Sequence, residues 1–347
     1  VRFAALFMTI VMLAACGANS VSTPTQSPAT TAAKTAAAPT TAPATQAPAA
    51  TTAEPATQAT TEASGAQTAY PLTVTDGLGR SVTIDAQPER IVSLAPSNTE
   101  ILFEIGAGEQ VIGVTEFCDY PAEAAQREQI GGFSAKTISV EKIVALKPDL
   151  VLSADESQQP IIDALVQLQI PVVAFKATSF EDVYANITLI GQITGQEAGA
   201  NETVTYMQQR VAAVTDKVAD VPQDERPTVF WEVWDEPLMT AGPKTFIGQM
   251  IELAGGENLF ADVTEEYPQI SAEAVAQRNP DIVLGPDDHA DKLTAEEISA
   301  RPGWDATGAV QNDRFAIIDG DIVSRPGPRL VEGLEQVAAA LHPEVFR

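Results

Sequence analysis

Histidine and cysteine are scarce, with two of each in 347 residues. A Ser–His–Asp arrangement would have to recruit His289 or His342, and no G-x-S-x-G nucleophile elbow accompanies either. Two distant histidines and one isolated thiol give no metal-ligand spacing. Both histidines read as surface or packing residues, so no catalytic residue and no metal ligand is expected. Basic side chains are also few, 20 against 47 acidic ones, for a net charge of −27. That balance argues against nucleic acid or an anionic membrane face as a partner. The pairs Gly131-Gly132 and Gly255-Gly256 do not fit a dinucleotide fingerprint. Beyond Cys16 only Cys118 remains, so the folded part has no second thiol with which to close an intrachain disulfide. No apolar run reaches the roughly 20 residues of a transmembrane helix.

What is present begins with Arg2, an apolar run from Phe3 to Leu13, and Leu13-Ala14-Ala15-Cys16. The run is too short to span a bilayer and reads as a signal peptide over residues 1–15. Small residues before a cysteine look like a lipobox, in which Cys16 carries lipid and holds the protein on the extracytoplasmic face of the cell membrane. Residues 16–69 are almost wholly Thr, Ala, Pro, Ser and Gln, with Lys34, Glu54 and Glu62 as their only charges. Such a segment buries too little apolar surface to offset its ordering entropy and is expected to be a disordered tether.

The folded part contains an internal echo. SVEKIVALKPDLVL (139–152) recurs as SAEAVAQRNPDIVL (271–284) at an offset of 132 residues. Each copy predicts a serine-capped helix with apolar residues at helical spacing (Val140, Ile143, Val144; Ala272, Val275, Ala276). Pro148 and Pro280 stop those helices, and DLVL or DIVL follows as a buried parallel strand. EIGAGEQV (104–111) and ELAGGENL (252–259) form a second echo ahead of the first. Two related lobes are therefore expected.

Strands alternating with helices predict parallel sheets covered on both faces. Leu72–Val74 and Ser81–Ile84 flank Asp76-Gly-Leu-Gly as a hairpin. Strands are expected at Ile91–Leu94, Val111–Val114, Val172–Phe175, Thr228–Val233 and Phe315–Ile318. Asn98 is a candidate cap for a helix running to Ile105. Further helices are expected near Pro160–Leu168, Phe180–Ile193, Phe246–Leu253, Ala295–Ala300 and Arg329–Leu341. Thr194-Gly-Gln-Glu197 has the form of a capping box. Behind it, Val204, Met207, Val211, Val214 and Val218 predict one helix of about 24 residues, roughly 35 Å long. The expected division is an N-terminal lobe over 70–193, a linking helix over 194–221 and a C-terminal lobe over 222–347. A ligand cleft lies between the lobes, and a stiff spine allows only modest lobe movement.

A lipobox, a tether and two α/β lobes on one long helix resemble the substrate-binding lipoproteins of ABC importers for iron-siderophores, haem and cobalamin. The motifs that carry the resemblance are RIVSLAPSNTEILFEIGAG (90–108), the first echo and RPGPRLVEGLEQVA (325–338). FCDYP (117–121), GGENLF (255–260) and YPQISAEAV (267–275) are similar to the vitamin B12 binders of that family. The resemblance implies a binding protein without catalytic activity that acts as a monomer and delivers a cobalt corrinoid to a permease dimer. It places Phe117, Phe133 and Tyr267 against the corrin, and Trp231, Trp234 and Met239 in apolar contact with it. Asp321 and Arg325 fall on its polar contacts. Phe133 and Tyr267 stand where the B12 binders carry tryptophan, and Ala154-Asp155 where a further bulky aromatic is expected. A broad apolar ring with amide arms suits flat side chains and a few hydrogen-bonding groups.

Two other readings stay open. The same fold could carry a ferric siderophore, or haem with Tyr267 or Tyr120 as axial ligand. A secreted enzyme or structural cell-surface lipoprotein is the third reading. In both echo helices the glutamate, Glu141 or Glu273, falls off the apolar face. Helix-dipole compensation explains one acid at a helix start, whereas a matched pair suits a two-fold partner. The resemblance puts the permease-docking glutamates at these two positions.

Overall fold

Ile91–Ser93, Leu150–Ser153, Val172–Ala174 and Ile282–Pro286 are buried at every residue. Strands achieve that only inside sheets covered on both faces. In the computed structural model the described residues are 68–287 and 293–346, and all of them belong to one compact unit of the chain. Cys16, nearly all of the expected tether, and His289 lie outside the described residues.

The first lobe opens with an antiparallel hairpin of β1 (Leu72–Thr75) and β2 (Ser81–Ile84). Then follow β3 (Ile91–Ser93), α1 (Pro96–Glu104), β4 (Val111–Val114), β5 (Glu128–Gln129), α2 (Val140–Ala145) and β6 (Leu150–Ser153). The lobe ends with α3 (Gln159–Gln167), β7 (Val172–Ala174) and α4 (Phe180–Thr194). Its parallel sheet has the order β5-β4-β3-β6-β7.

After α5 (Glu197–Val218) come β8 (Thr228–Asp235), β9 (Leu238–Thr240), α6 (Phe246–Leu253), β10 (Glu257–Asn258), α7 (Ala272–Arg278) and β11 (Ile282–Pro286). The chain closes with α8 (Ala295–Ser299), α9 (Gly308–Gln311), β12 (Phe315–Ile318), α10 (Gly320–Val323) and α11 (Leu330–Leu341). The second sheet runs β10-β8-β11-β12 in parallel, with β9 antiparallel on β8.

The echo segments occupy equivalent places in the two sheets. Ser139 Oγ accepts from Lys142 N and Ser271 Oγ from Ala274 N, capping α2 and α7. Each helix leaves the right-handed region through a left-handed residue just before the proline, Lys147 at φ 50° and Asn279 at φ 55°. The aspartate after each proline then ties its strand to the sheet's first strand. Asp149 accepts from Glu89 N (2.9 Å) and Arg90 N (3.0 Å) ahead of β3. Asp281 accepts from Thr228 N (2.8 Å) at the start of β8. The apolar stripe is narrower than expected, however. Ile143 and Val275 are buried, but Val144 is 39% exposed because α2 ends within a turn of it.

Two capping expectations need correction. α1 begins at Pro96 with no side-chain cap, and Asn98 lies inside its first turn. The Asn98 side chain instead donates to Ser153 O (2.9 Å), stitching α1 to β6. Thr194 is the last residue of α4, where its hydroxyl donates to Ile190 O (2.7 Å). Gly195, at φ 73°, ends that helix as only a residue free of Cβ strain does readily. The linking helix therefore starts at Glu197 and has 22 residues, about 33 Å at 1.5 Å per residue.

α5 packs on α4 of the first lobe and on α6 and α11 of the second. One apolar core runs through it, joining Ile91, Leu150 and Phe180 to Met207 and Val214, and onward to Trp231, Leu284 and Leu334. Each lobe also has an outer core of its own, around Ile143 and Ile162 in the first and Phe230, Val275 and Trp304 in the second. A hinge swing would have to tear the shared core, so the lobes are expected to move little.

Candidate ligand-binding cleft

Parallel sheets present their loops at the carboxyl ends of the strands, where ligands of open α/β folds bind. In the first lobe those segments are Ala95 and the first residues of α1 (Pro96-Ser97) after β3, Phe117 after β4, Ala154–Glu156 after β6 and Phe175–Thr178 after β7. Together with Phe133 they line a cavity of about 490 Å³. The facing wall comes from the second lobe, through Thr245-Phe246, Glu266-Tyr267 and Ser324–Pro326. Phe117, Phe133 and Tyr267 are 49%, 38% and 38% exposed, too open for core aromatics.

Four of the eight residues expected to contact ligand line this cavity: Phe117, Phe133, Tyr267 and Arg325. The other four stand elsewhere. Trp231 is 2% exposed in the shared core, because its position along β8 turns the indole into the interior, so it has almost no surface to offer. Trp234 and Met239 face one another across the β8–β9 turn, with Trp234 Nε1 donating to Glu236 O at 2.9 Å. Asp321 is drawn to the Arg325 guanidinium at 2.5 Å and does not reach the cavity wall.

Arg325 belongs to a network between the lobes. Its Nη1 lies 2.6 Å from Asp119 and 3.3 Å from Glu100, both in the first lobe. Arg329 makes a two-pronged contact with Glu100, Nε to Oε2 at 2.9 Å and Nη2 to Oε1 at 2.7 Å. Burial raises the Glu100 carboxyl above its ordinary value, and the two arginines only partly oppose that. For Asp119 burial pushes upward, but the Arg325 hydrogen bond and charge outweigh it and hold the group below the usual carboxylate range. Arg329 also stacks over Tyr120, 4.0 Å from the ring centroid. Tyr120 therefore turns to a separate hollow with Glu104 and Tyr206, away from the main cavity.

At another part of the wall, Lys176 Nζ reaches Glu156 at 3.1 Å and Glu266 of the opposite lobe at 3.8 Å. The β1–β2 hairpin steadies this lysine. Asp76 accepts from Ala174 N at 3.1 Å, and Gly77 N donates to Ala174 O at 2.8 Å. A Cβ on Gly77 would lie 2.6 Å from Lys176 N, so only glycine permits the approach. Lys176, Glu156, Glu266, Phe175 and Phe246 were not anticipated as site residues. Phe175 was legible as the end of an expected strand, where the carboxyl-end rule looks for ligand contacts.

Among the described residues no group of three metal-ligating side chains comes together. His342 is a packing residue, 3% exposed with Nε2 3.1 Å from Gly255 O.

A cleft walled by two similar α/β halves, with aromatic faces and paired charges, has the form of a solute-binding site. The periplasmic binding protein model matches residues 91–322, and the chain belongs to that family of solute-binding proteins, not to an enzyme family. It is 36% identical over 283 residues to YvrC of Bacillus subtilis, an uncharacterized ABC transporter substrate-binding lipoprotein, covering 80% of this chain and 88% of the relative. It is 35% identical over 278 residues to a cobalamin-binding protein of Halobacterium salinarum, covering 79% and 74%. Among solved structures it resembles a possible iron-binding (periplasmic solute-binding) protein of Staphylococcus epidermidis. The TM-score is 0.66 at 34% identity, with 74% of this chain and all of that one covered.

Proposed function

We propose that the protein captures a cobalt corrinoid in the interlobe cavity and hands it to the permease of an ABC importer. The observation that carries this reading is the placement of Phe117, Phe133 and Tyr267, open aromatic rings from both lobes on one cavity. Such rings suit the broad faces of a macrocycle. The similarity to a cobalamin-binding protein supports the same ligand.

Haem or a ferric siderophore is the competing cargo, and the likeness to an iron-binding structure favours it. Haem would need an axial side chain. Of the two tyrosines considered, Tyr267 lines the cavity and Tyr120 does not. Burial, then Glu266 and Asp155, push the Tyr267 phenol up to about 12. A corrin needs no ligand atom from the wall, because its cobalt can keep non-protein axial ligands. Spectral titration of the purified protein with cyanocobalamin and with haemin tests the choice. Saturable binding of cyanocobalamin alone is expected; a Soret shift with haemin and no corrinoid binding would reverse the assignment.

Glu141 and Glu273 supply the docking contacts in this reading. Both are exposed near the starts of equivalent helices, where arginines of a two-fold permease would grip them through bidentate pairs. Transport with the double variant Glu141→Gln/Glu273→Gln is expected to fail while ligand affinity and melting temperature hold. Normal uptake would refute the docking role. Cys16 and the segment behind it serve as lipid anchor and leash, so Cys16→Ser is expected to release the protein from membranes; sedimentation with membranes would contradict this.

A further inference from the structure

Two cations line the cavity, and carboxylates already hold both. Lys176 lies between Glu156 (3.1 Å) and Glu266 (3.8 Å), with Asp155 on the same wall. Arg325 is shared by Asp119, Asp321 and Glu100. The acids outnumber the cations at both places, so an incoming anion finds no uncompensated cationic side chain. It would have to displace a carboxylate and then sit against it, and like-charge contact across a binding surface is unfavourable. A primary amide meets the opposite situation, since its two N–H groups are donors and the surplus carboxylates are acceptors only.

We infer that Asp155, Glu156 and Glu266 make this cavity selective for neutral or cationic, amide-bearing ligands against ligands of the same shape that carry free carboxylates. The inference rests on the corrinoid reading above and adds the charge class of the ring's arms. Lys176 is a positioning residue here: it holds Glu156 and Glu266 from opposite lobes close to one another at the wall. The raised Tyr267 phenol, whose causes after burial are Glu266 and Asp155, reports the same negative field beside the aromatic face.

Two probes isolate the effect. Cobinamide has amide arms and cobyrinic acid has free carboxylates on the same cobalt-corrin ring, and both can be titrated as dicyano complexes. The full chain is expected to bind cobinamide about a hundredfold more tightly than cobyrinic acid. Asp155→Asn/Glu156→Gln/Glu266→Gln, checked for an intact fold by its melting curve, is expected to narrow that ratio to about tenfold or less, mainly by improving cobyrinic acid binding. Equal affinities in the unaltered protein, or a ratio unchanged in the triple variant, would overturn the inference and leave the corrinoid reading standing. Binding of neither probe would overturn the corrinoid reading and this inference with it.

Discussion

The two lobes share a frame but not a binding wall. β3, β4, β6 and β7 have counterparts in β8, β10, β11 and β12, with the first strand of each parallel sheet flanked by corresponding partners. Equivalent serines cap equivalent helices, and Asp149 and Asp281 tie equivalent strands. The walls diverge. The first lobe lines the cavity from the carboxyl ends of β3, β4, β6 and β7, whereas the second uses the segments after β9, ahead of α7 and after α10. Repeated residues therefore keep up the frame, and unrepeated ones line the candidate cavity. Glu141 and Glu273, proposed above for docking, belong to the repeated set, as the proposed two-fold partner would require.

The comparison breaks most severely at Glu100, which has no counterpart in the echo and joins the first lobe to Arg325 and Arg329 of the second. Its side chain is 2% exposed. Glu100→Ala strips Arg325 and Arg329 of their shared buried partner and is expected to destabilise the fold by about 3 kcal/mol. Thermal denaturation measures it, and a melting point within error of the parent's would show that the network is not holding the lobes. A smaller and symmetric effect is expected in the frame. Ser139→Ala and Ser271→Ala should each cost about 1 kcal/mol through loss of the cap, with matching shifts in urea midpoint. A loss at one position only would undo the equivalence of α2 and α7.

The smallest effect concerns pH. The folded carboxyl of Asp119 is held low, so its contribution to stability is complete above its unfolded value of about 3.9 and disappears as pH falls through the lower folded one. Glu100, shifted upward, acts in the opposite sense: its contribution is complete below its unfolded value and is lost as pH rises through the folded one. Asp119→Asn is therefore expected to flatten the acid limb of the melting-temperature profile below about pH 4. An unchanged limb would separate Asp119 from the interlobe contact.

The frame was legible because it is written in local signals. Capping serines, prolines after short helices and unbroken apolar runs each act within a few residues, and the 132-residue echo marked the pairing of lobes. Legibility failed where a side chain's partner is distant in sequence. Asn98 looks like a cap until Ser153 is brought beside it. Thr194 looks like the first residue of a box although it closes the helix before. The lining of the candidate cavity was half legible for the same reason. Phe117, Tyr267 and Arg325 stand in recognisable motifs and Phe133 follows only from the family resemblance, but no local pattern shows Lys176 lying between acids of two lobes, or Trp231 turned inward by its place on β8.

The central claim is that one ligand is held between two unlike walls, and cyanocobalamin affinity with one aromatic removed from each wall tests it most directly. Phe117→Ala in the first lobe and Tyr267→Ala in the second are each expected to weaken binding by about 1–3 kcal/mol, roughly tenfold to a hundredfold. Each should leave the melting temperature near that of the parent, because both rings are open. Unchanged affinity in either variant would contradict a site built from both lobes.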